Sequence, residues 1–257
     1  PPFFEKPFSI KGQWIESMTL PVLKQRVSET ISIGNQKEGK RPTVVIPKGS
    51  VWSGKEATVM VSAGKLIATK SSFQDLRFLG DLASTQYFSN CLLQDCGFSK
   101  GGNRIGGEQA AKIYFGSCVV TGGLAKKWNI RHTGYRGQGS VFEKIDLPEV
   151  SFEGRDPARY LNHPWVKFAN CRFVNCKVPA SFAAITRDCI FENCEFIDDP
   201  KFEGGTRPFE VVLYLTSNSR WNVSKAPATL TFTRKPDTER KGDPIPTAQA
   251  LKDMMGF

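Results

Sequence analysis

The chain has 257 residues, 40% of them apolar, and a formal net charge of +10. That is enough apolar material for a sizeable core, and it lacks the bias of a disordered or collagen-like chain. No run of about 18 apolar residues occurs, so no segment predicts a membrane-spanning helix, while the positive charge admits uronate-bearing or sulfated glycans, anionic surfaces or nucleic acid as partners.

In chain order, Met18 to Glu29 predict a short amphipathic helix or an irregular cap, followed by strands at Thr43 to Ile46 and Thr58 to Val61. The 23 Gly and 16 Pro are spread along the chain, and 19 Phe occur without long helical periodicity, a balance that favours many short strands between turns.

From residue 59 to 198 a repeat takes over. Three segments align without gaps: Asn90-Cys91-Leu92-Leu93-Gln94-Asp95-Cys96-Gly97-Phe98, Asn170-Cys171-Arg172-Phe173-Val174-Asn175-Cys176-Lys177-Val178, and Asp188-Cys189-Ile190-Phe191-Glu192-Asn193-Cys194-Glu195-Phe196. Each is one [Asn/Asp]-Cys-x-apolar unit written twice. Positions i and i+2 face one side of a strand, so Cys and its apolar partner point inward together. The second Cys, five residues on, faces inward only if the chain bends near Asp95, Asn175 and Asn193, residue types that tolerate left-handed backbone. Degenerate copies are Ile145-x-Leu147 with Val150-x-Phe152, Cys118-x-Val120, and Leu76-x-Phe78 after Asp75. First-half positions at 91, 118, 145, 171 and 189 then predict coil steps of 27, 27, 26 and 18 residues. Seven cysteines cannot all pair within one chain, and C-x4-C spacing with apolar neighbours does not suit zinc, so the thiols read as reduced, buried and stacked.

Over residues 59–198 this pattern resembles the right-handed parallel β-helix proteins of the pectate-lyase-like superfamily, in which N-C-x-F units are familiar. The expected fold is all-β: a single-stranded right-handed parallel β-helix, or solenoid, with N- and C-terminal capping segments. It would form one domain, with 1–58 as N-terminal cap and first strands, 59–198 as coils, and 199–257 as C-terminal strands, linker and cap. In that last part Phe209 to Thr216 and Ala228 to Thr233 read as strands, Lys235 to Pro246 as a Pro-rich linker and Thr247 to Met255 as a final helix.

If the ladders fix the register, the segments Ser99 to Tyr114, Thr121 to Val141 and Glu153 to Lys167 emerge on one side as loops. They hold ten basic residues (Lys100, Arg104, Lys112, Lys126, Lys127, Arg131, Arg136, Arg155, Arg159, Lys167) against three acidic ones (Glu108, Glu153, Asp156), and both histidines, His132 and His163. Aromatic residues interleaved with cations suit sugar rings bearing carboxylate or sulfate. The candidate ligand-binding set on this 99–167 face is Trp128, Arg131, His132, Tyr135, Arg136, Arg159 and Tyr160, with an acidic polysaccharide as partner. A bland reading stands beside it: Trp128 and Trp165 cover the coil exterior and Arg155 pairs with Asp156.

For an enzyme, the resemblance implies either a lyase with an Arg or Lys base or a hydrolase with paired carboxylates. The loops lack an acidic calcium cluster, and Asp198-Asp199 lacks the motifs around a hydrolase pair. What stays open is a metal-independent lyase or glycoside hydrolase, with His132 and Arg131 as catalytic candidates, or a non-catalytic scaffold or surface protein. No metal and no cofactor is expected. Nucleic acid is disfavoured for want of a binding module, and Gly101-Gly102 and Gly106-Gly107 lack the strand-to-helix context of a nucleotide loop. A start at Pro1 without Met or leader, taken with the architecture, gives a secreted or periplasmic destination as the expectation.

Overall fold

A computed structural model describes residues 17–19, 24–27, 31–33, 42–61, 64–80, 84–100, 112–122, 135–147, 168–183, 186–197, 220–225 and 245–257. The strands are β1 (Ser17–Thr19), β2 (Lys24–Val27), β3 (Ile31–Ile33), β4 (Thr43–Ile46), β5 (Val51–Val61), β6 (Lys65–Thr69), β7 (Ser72–Gly80), β8 (Thr85–Ser89), β9 (Leu92–Gln94) and β10 (Gly97–Lys100). There follow β11 (Lys112–Gly116), β12 (Val119–Thr121), β13 (Tyr135–Gln138), β14 (Val141–Glu143), β15 (Phe168–Ala169), β16 (Arg172–Val174), β17 (Lys177–Pro179), β18 (Thr186–Arg187), β19 (Ile190–Ile197) and β20 (Arg220–Lys225). Two short helices among the described residues are α1 (Ala180–Ala183) and α2 (Ala248–Met255).

These strands wind as a parallel β-solenoid. One sheet stacks eight strands in the order β1-β4-β6-β8-β11-β13-β15-β18. A second sheet runs β17-β19-β16-β14-β12-β9-β7-β5-β2, with β3 on β5, β10 on β7 and β20 on β19. Pairing is parallel throughout, from Lys65↔Thr85 in the first sheet to Arg172↔Ile190 in the second. Because a strand's side-chain period is two, inward positions line up from coil to coil. Phe142, Phe173 and Phe191 stack with centroids 5.2 and 5.1 Å apart, and Phe78–Phe98 and Phe88–Phe115 repeat the arrangement. Each ring pair adds roughly 0.5–1.5 kcal/mol beyond the apolar area it buries.

Two bends shape each coil. The left-handed residues Lys70, Asn90, Ser117, Gly139, Asn170 and Asp188 mark the first, and Asp75, Asp95, Gly122, Lys144, Asn175 and Asn193 the second, each five residues further on. Asp95, Asn175 and Asn193 therefore bend where the repeat requires it. The Asn193 amide donates to Asn175 Oδ1 at 2.6 Å, joining neighbouring coils. Gly122 has φ +80°, and a Cβ there would meet Asp95 Oδ1 at 2.3 Å.

The register corrects the expected coil steps. Val119 pairs with both Leu92 and Val141, and Val141 with Arg172. The first-bend row therefore runs Ser71, Cys91, Cys118, Ser140, Cys171, Cys189, whereas Ile145 lies after the second bend, beside Cys176. Ser140 has neither sulfur nor bulk, the two marks by which the sequence shows a rung.

A donor is what the row has in common. Cys91 Sγ donates to the carbonyls of Ser89 (3.4 Å) and Ala68 (3.5 Å), and Cys118 Sγ to Phe88 (3.3 Å) and Gly116 (3.4 Å). Ser140 Oγ donates to Phe115 (3.0 Å) and Gln138 (3.3 Å). Cys96, Cys176 and Cys194 repeat this at the second bend. The Ser89, Gly116 and Gln138 carbonyls already accept backbone N–H groups of Lys70, Asn90 and Ser117 in the preceding coil, so the S–H or O–H adds a further contact from a side chain that does not fill the space a Phe would. All seven cysteines are free and buried, as their spacing predicts.

At the N-terminus, where a short helix or an irregular cap is expected over 18–29, the chain instead forms β1 and β2, whose backbone groups join ladders on β4 and β5. A parallel edge offers unpaired N–H and C=O groups to the incoming chain, which outweighs weak helix propensity over a segment containing Pro21. The expected strands at 209–216 and 228–233 lie outside the described residues, while β20 pairs with β19 at a position the sequence reading left unassigned. The final helix is present. The Thr247 hydroxyl accepts from the Ala250 N–H at its start, and Gly256 closes it at φ 78°.

Candidate functional site

The two long outer faces differ. On the second sheet, Ala248, Leu251 and Met255 of α2 pack on Val119 and Val141, with Leu92 and Val174 alongside. Arg172 fastens the approach to this helix: its guanidinium donates to the Ile245 carbonyl at 2.7 Å and the Pro246 carbonyl at 3.3 Å, and pairs with Glu192. Among the described residues nothing comparable covers the first sheet.

On that open face, alternation turns out one column of side chains, which the register sets side by side: Ile67, Tyr87, Tyr114 and Arg136. The rings of Tyr87 and Tyr114 stack at 4.7 Å with an interplanar angle of 11°, and Arg136 Cζ sits 5.7 Å from the Tyr114 centroid. Tyr87 is 37% exposed, and Arg136, Lys65 and Lys112 are exposed around it. Lys65 and Lys112 both take the position paired with Thr85. The eight strands of this sheet contain Lys65, Lys112, Arg136 and Arg187 and no Asp or Glu. The second sheet mixes signs, with Asp75, Glu143, Glu192 and Glu195 among its own Lys and Arg.

Both faces of the Tyr114 ring are thus occupied, one by Tyr87 and the other by Arg136. What the column offers a ligand is phenol hydroxyls and guanidinium N–H groups at its outer edge, flanked by two ammonium groups.

Of the sequence candidates, Arg136 belongs to this column. It and Lys112, both expected in loops, are strand residues, because solenoid strands are short and one charged outward position does not end them. Tyr135 occupies the β13 position paired with Ile113. Trp128, Arg131, His132, Arg159 and Tyr160 lie outside the described residues, as does His163. Sequence reasoning missed Lys65, Tyr87 and Tyr114. The signal that finds them is a fixed offset: 67, 87, 114 and 136 stand four residues before the bend donors Ser71, Cys91, Cys118 and Ser140. Placing a rung at 145 concealed it.

Four of the thiols are held away from nucleophilic use. Burial pushes Cys96 up to about 12 and Cys118, Cys171 and Cys176 well above the ordinary thiol range, so these four stay protonated at neutral pH. Among the described residues no group of three or more His, Cys, Asp or Glu is placed to hold a metal ion, and no helix is long and apolar enough to cross a membrane.

The fold defines the chain as a parallel β-solenoid. No family model, curated protein or solved structure gives a significant match to it.

Proposed function

We propose that this chain is an exported β-helix protein, akin to the pectate-lyase-like superfamily, that binds an acidic polysaccharide. The open face of the first sheet carries the reading: Tyr87, Tyr114 and Arg136 in register, with Lys65 and Lys112, on eight strands free of acidic residues. Positive charge without compensation favours a polyanion, and phenol hydroxyls beside a guanidinium favour one rich in hydroxyl and oxyanion groups. The kinship draws on the [Asn/Asp]-Cys-x-apolar units, and export follows from a ligand that lies outside cells. Trp128, Arg131, His132, Tyr135, Arg159 and Tyr160 enter the same proposal as further contacts from the basic 99–167 segment.

Affinity electrophoresis tests it. Native gels cast with polygalacturonate or a sulfated glycan should retard the protein, a neutral glucan should not, and added salt should weaken the effect. Arg136→Ala and Lys112→Ala should each weaken binding by about two- to fivefold, the worth of one exposed charge contact. Equal retardation by the neutral gel, or none by any acidic polymer at low salt, rejects the reading.

A further inference from the structure

An exposed arginine ordinarily samples many rotamers, and ordering it on a ligand costs entropy that weakens the contact. Arg136 is placed differently. Its Cζ lies 5.7 Å from the centroid of Tyr114, a ring that cannot swing freely because it stacks on Tyr87 at 4.7 Å and stands on a strand paired on both sides. Among the described residues, the strands of this sheet carry no Asp or Glu to draw the guanidinium elsewhere. At that distance the ring attracts the guanidinium by its charge without engaging its N–H groups in a hydrogen bond, and those N–H groups are the part that meets a carboxylate or sulfate through two parallel hydrogen bonds.

We infer that Tyr114 is a positioning residue for Arg136, and that the face recognises planar or forked oxyanion groups by a preset guanidinium rather than by charge alone. This rests on the acidic-polysaccharide reading and deepens it by naming the group recognised and the residue that presets the contact. At an exposed site a cation–π contact shifts the side-chain population by about two- to fivefold, which sets the size of the effect.

Two measurements test it together, on variants whose thermal unfolding matches the parent protein. The first needs no ligand: in a nitrogen–proton NMR spectrum the Arg136 Nε–H should be ordered and shifted by the ring, unchanged in Tyr114→Phe and returned to an ordinary shift in Tyr114→Leu. The second is binding to polygalacturonate. Tyr114→Phe gives the loss due to the phenol hydroxyl alone, and Tyr114→Leu should bind about two- to fivefold more weakly than Tyr114→Phe, a difference that vanishes in the Arg136→Ala background. Arg136→Lys should lose nearly as much as Arg136→Ala, because an ammonium keeps the charge and lacks the fork. A mobile, unshifted Arg136 signal overturns the inference whatever the protein binds, and so do additive losses or a fully active Arg136→Lys. A shifted, ordered signal in a protein that binds no acidic glycan overturns the polysaccharide reading and the recognition claim with it, leaving Tyr114 as a structural support of Arg136.

Discussion

Replacing Cys118 by alanine and by serine separates two accounts of why sulfur lines the bends. Cys118 is fully buried, and its Sγ donates to the Phe88 carbonyl at 3.3 Å and the Gly116 carbonyl at 3.4 Å. Alanine removes the donor, a loss of about 1 kcal/mol because the Gly116 carbonyl keeps its bond from the Asn90 N–H, and leaves a one-atom void costing about 1 kcal/mol more. Serine keeps the donor and loses mainly volume, so about 1 kcal/mol is expected. Ser140 gives the mirror experiment. Its hydroxyl donates to Phe115 and accepts from the Cys118 N–H at 3.0 Å, so Ser140→Cys should be mild and Ser140→Ala severe. Urea midpoints at constant slope give the differences. Were cysteine present only as a small hydrophobe, a buried hydroxyl would be the worse replacement. Serine destabilising more than alanine at position 118 therefore refutes the donor account.

Other expectations follow from the same packing. The native protein should resist aqueous thiol reagents at neutral pH and release seven reactive thiols on unfolding, because every cysteine is buried. The stability contributed by Cys96 should be full below pH 9 and fall between pH 9 and 12: its unfolded thiol ionises from its ordinary value of 9.0, while the folded one, raised to about 12, still holds its proton. That single group accounts for about 4 kcal/mol, readable from urea titrations across the range. Gly137→Ala should lower the melting temperature, at a cost of about 1–3 kcal/mol, since its Cβ would lie 2.6 Å from Phe168 Cδ1 and 3.3 Å from Cys171 Sγ in a packed interior. Arg172→Met should speed hydrogen exchange in α2 while leaving β12 and β14 protected, because the carbonyls of Ile245 and Pro246 lose their shared donor.

Much of the solenoid was legible because its rules are local. A Cys and an apolar residue two apart, an Asn or Asp that bends the chain, and the same unit five residues later are visible in three segments, and the structure places them as read. The degenerate coils were harder. Ser140 does the work of a cysteine through its hydroxyl, and in a search keyed to hydrophobicity Ser140 and Ile145 exchange roles. That one slip of register also hid the open face, since Arg136 joins Tyr114 and Tyr87 only when counted back from 140. At the N-terminus, Ser17 to Thr19 and Lys24 to Val27 are drawn into strands by partners far along the chain, which a window of local residues does not contain. Trp128, Arg131, His132, Arg159 and Tyr160 stand out by residue type alone, and nothing in the repeat assigns them a register.

Left-handed residues at 70, 90, 117, 139, 170 and 188 set successive first bends 20, 27, 22, 31 and 18 residues apart, yet the strands they join keep one register. Length added between coils is taken up elsewhere and never reaches the exposed column. Each turn therefore contributes one character to that surface, at an address counted backward from its own bend. Tandem duplication of a coil would lengthen the inscription without garbling it, and a single substitution at the address would edit one character and leave the rest of the line intact.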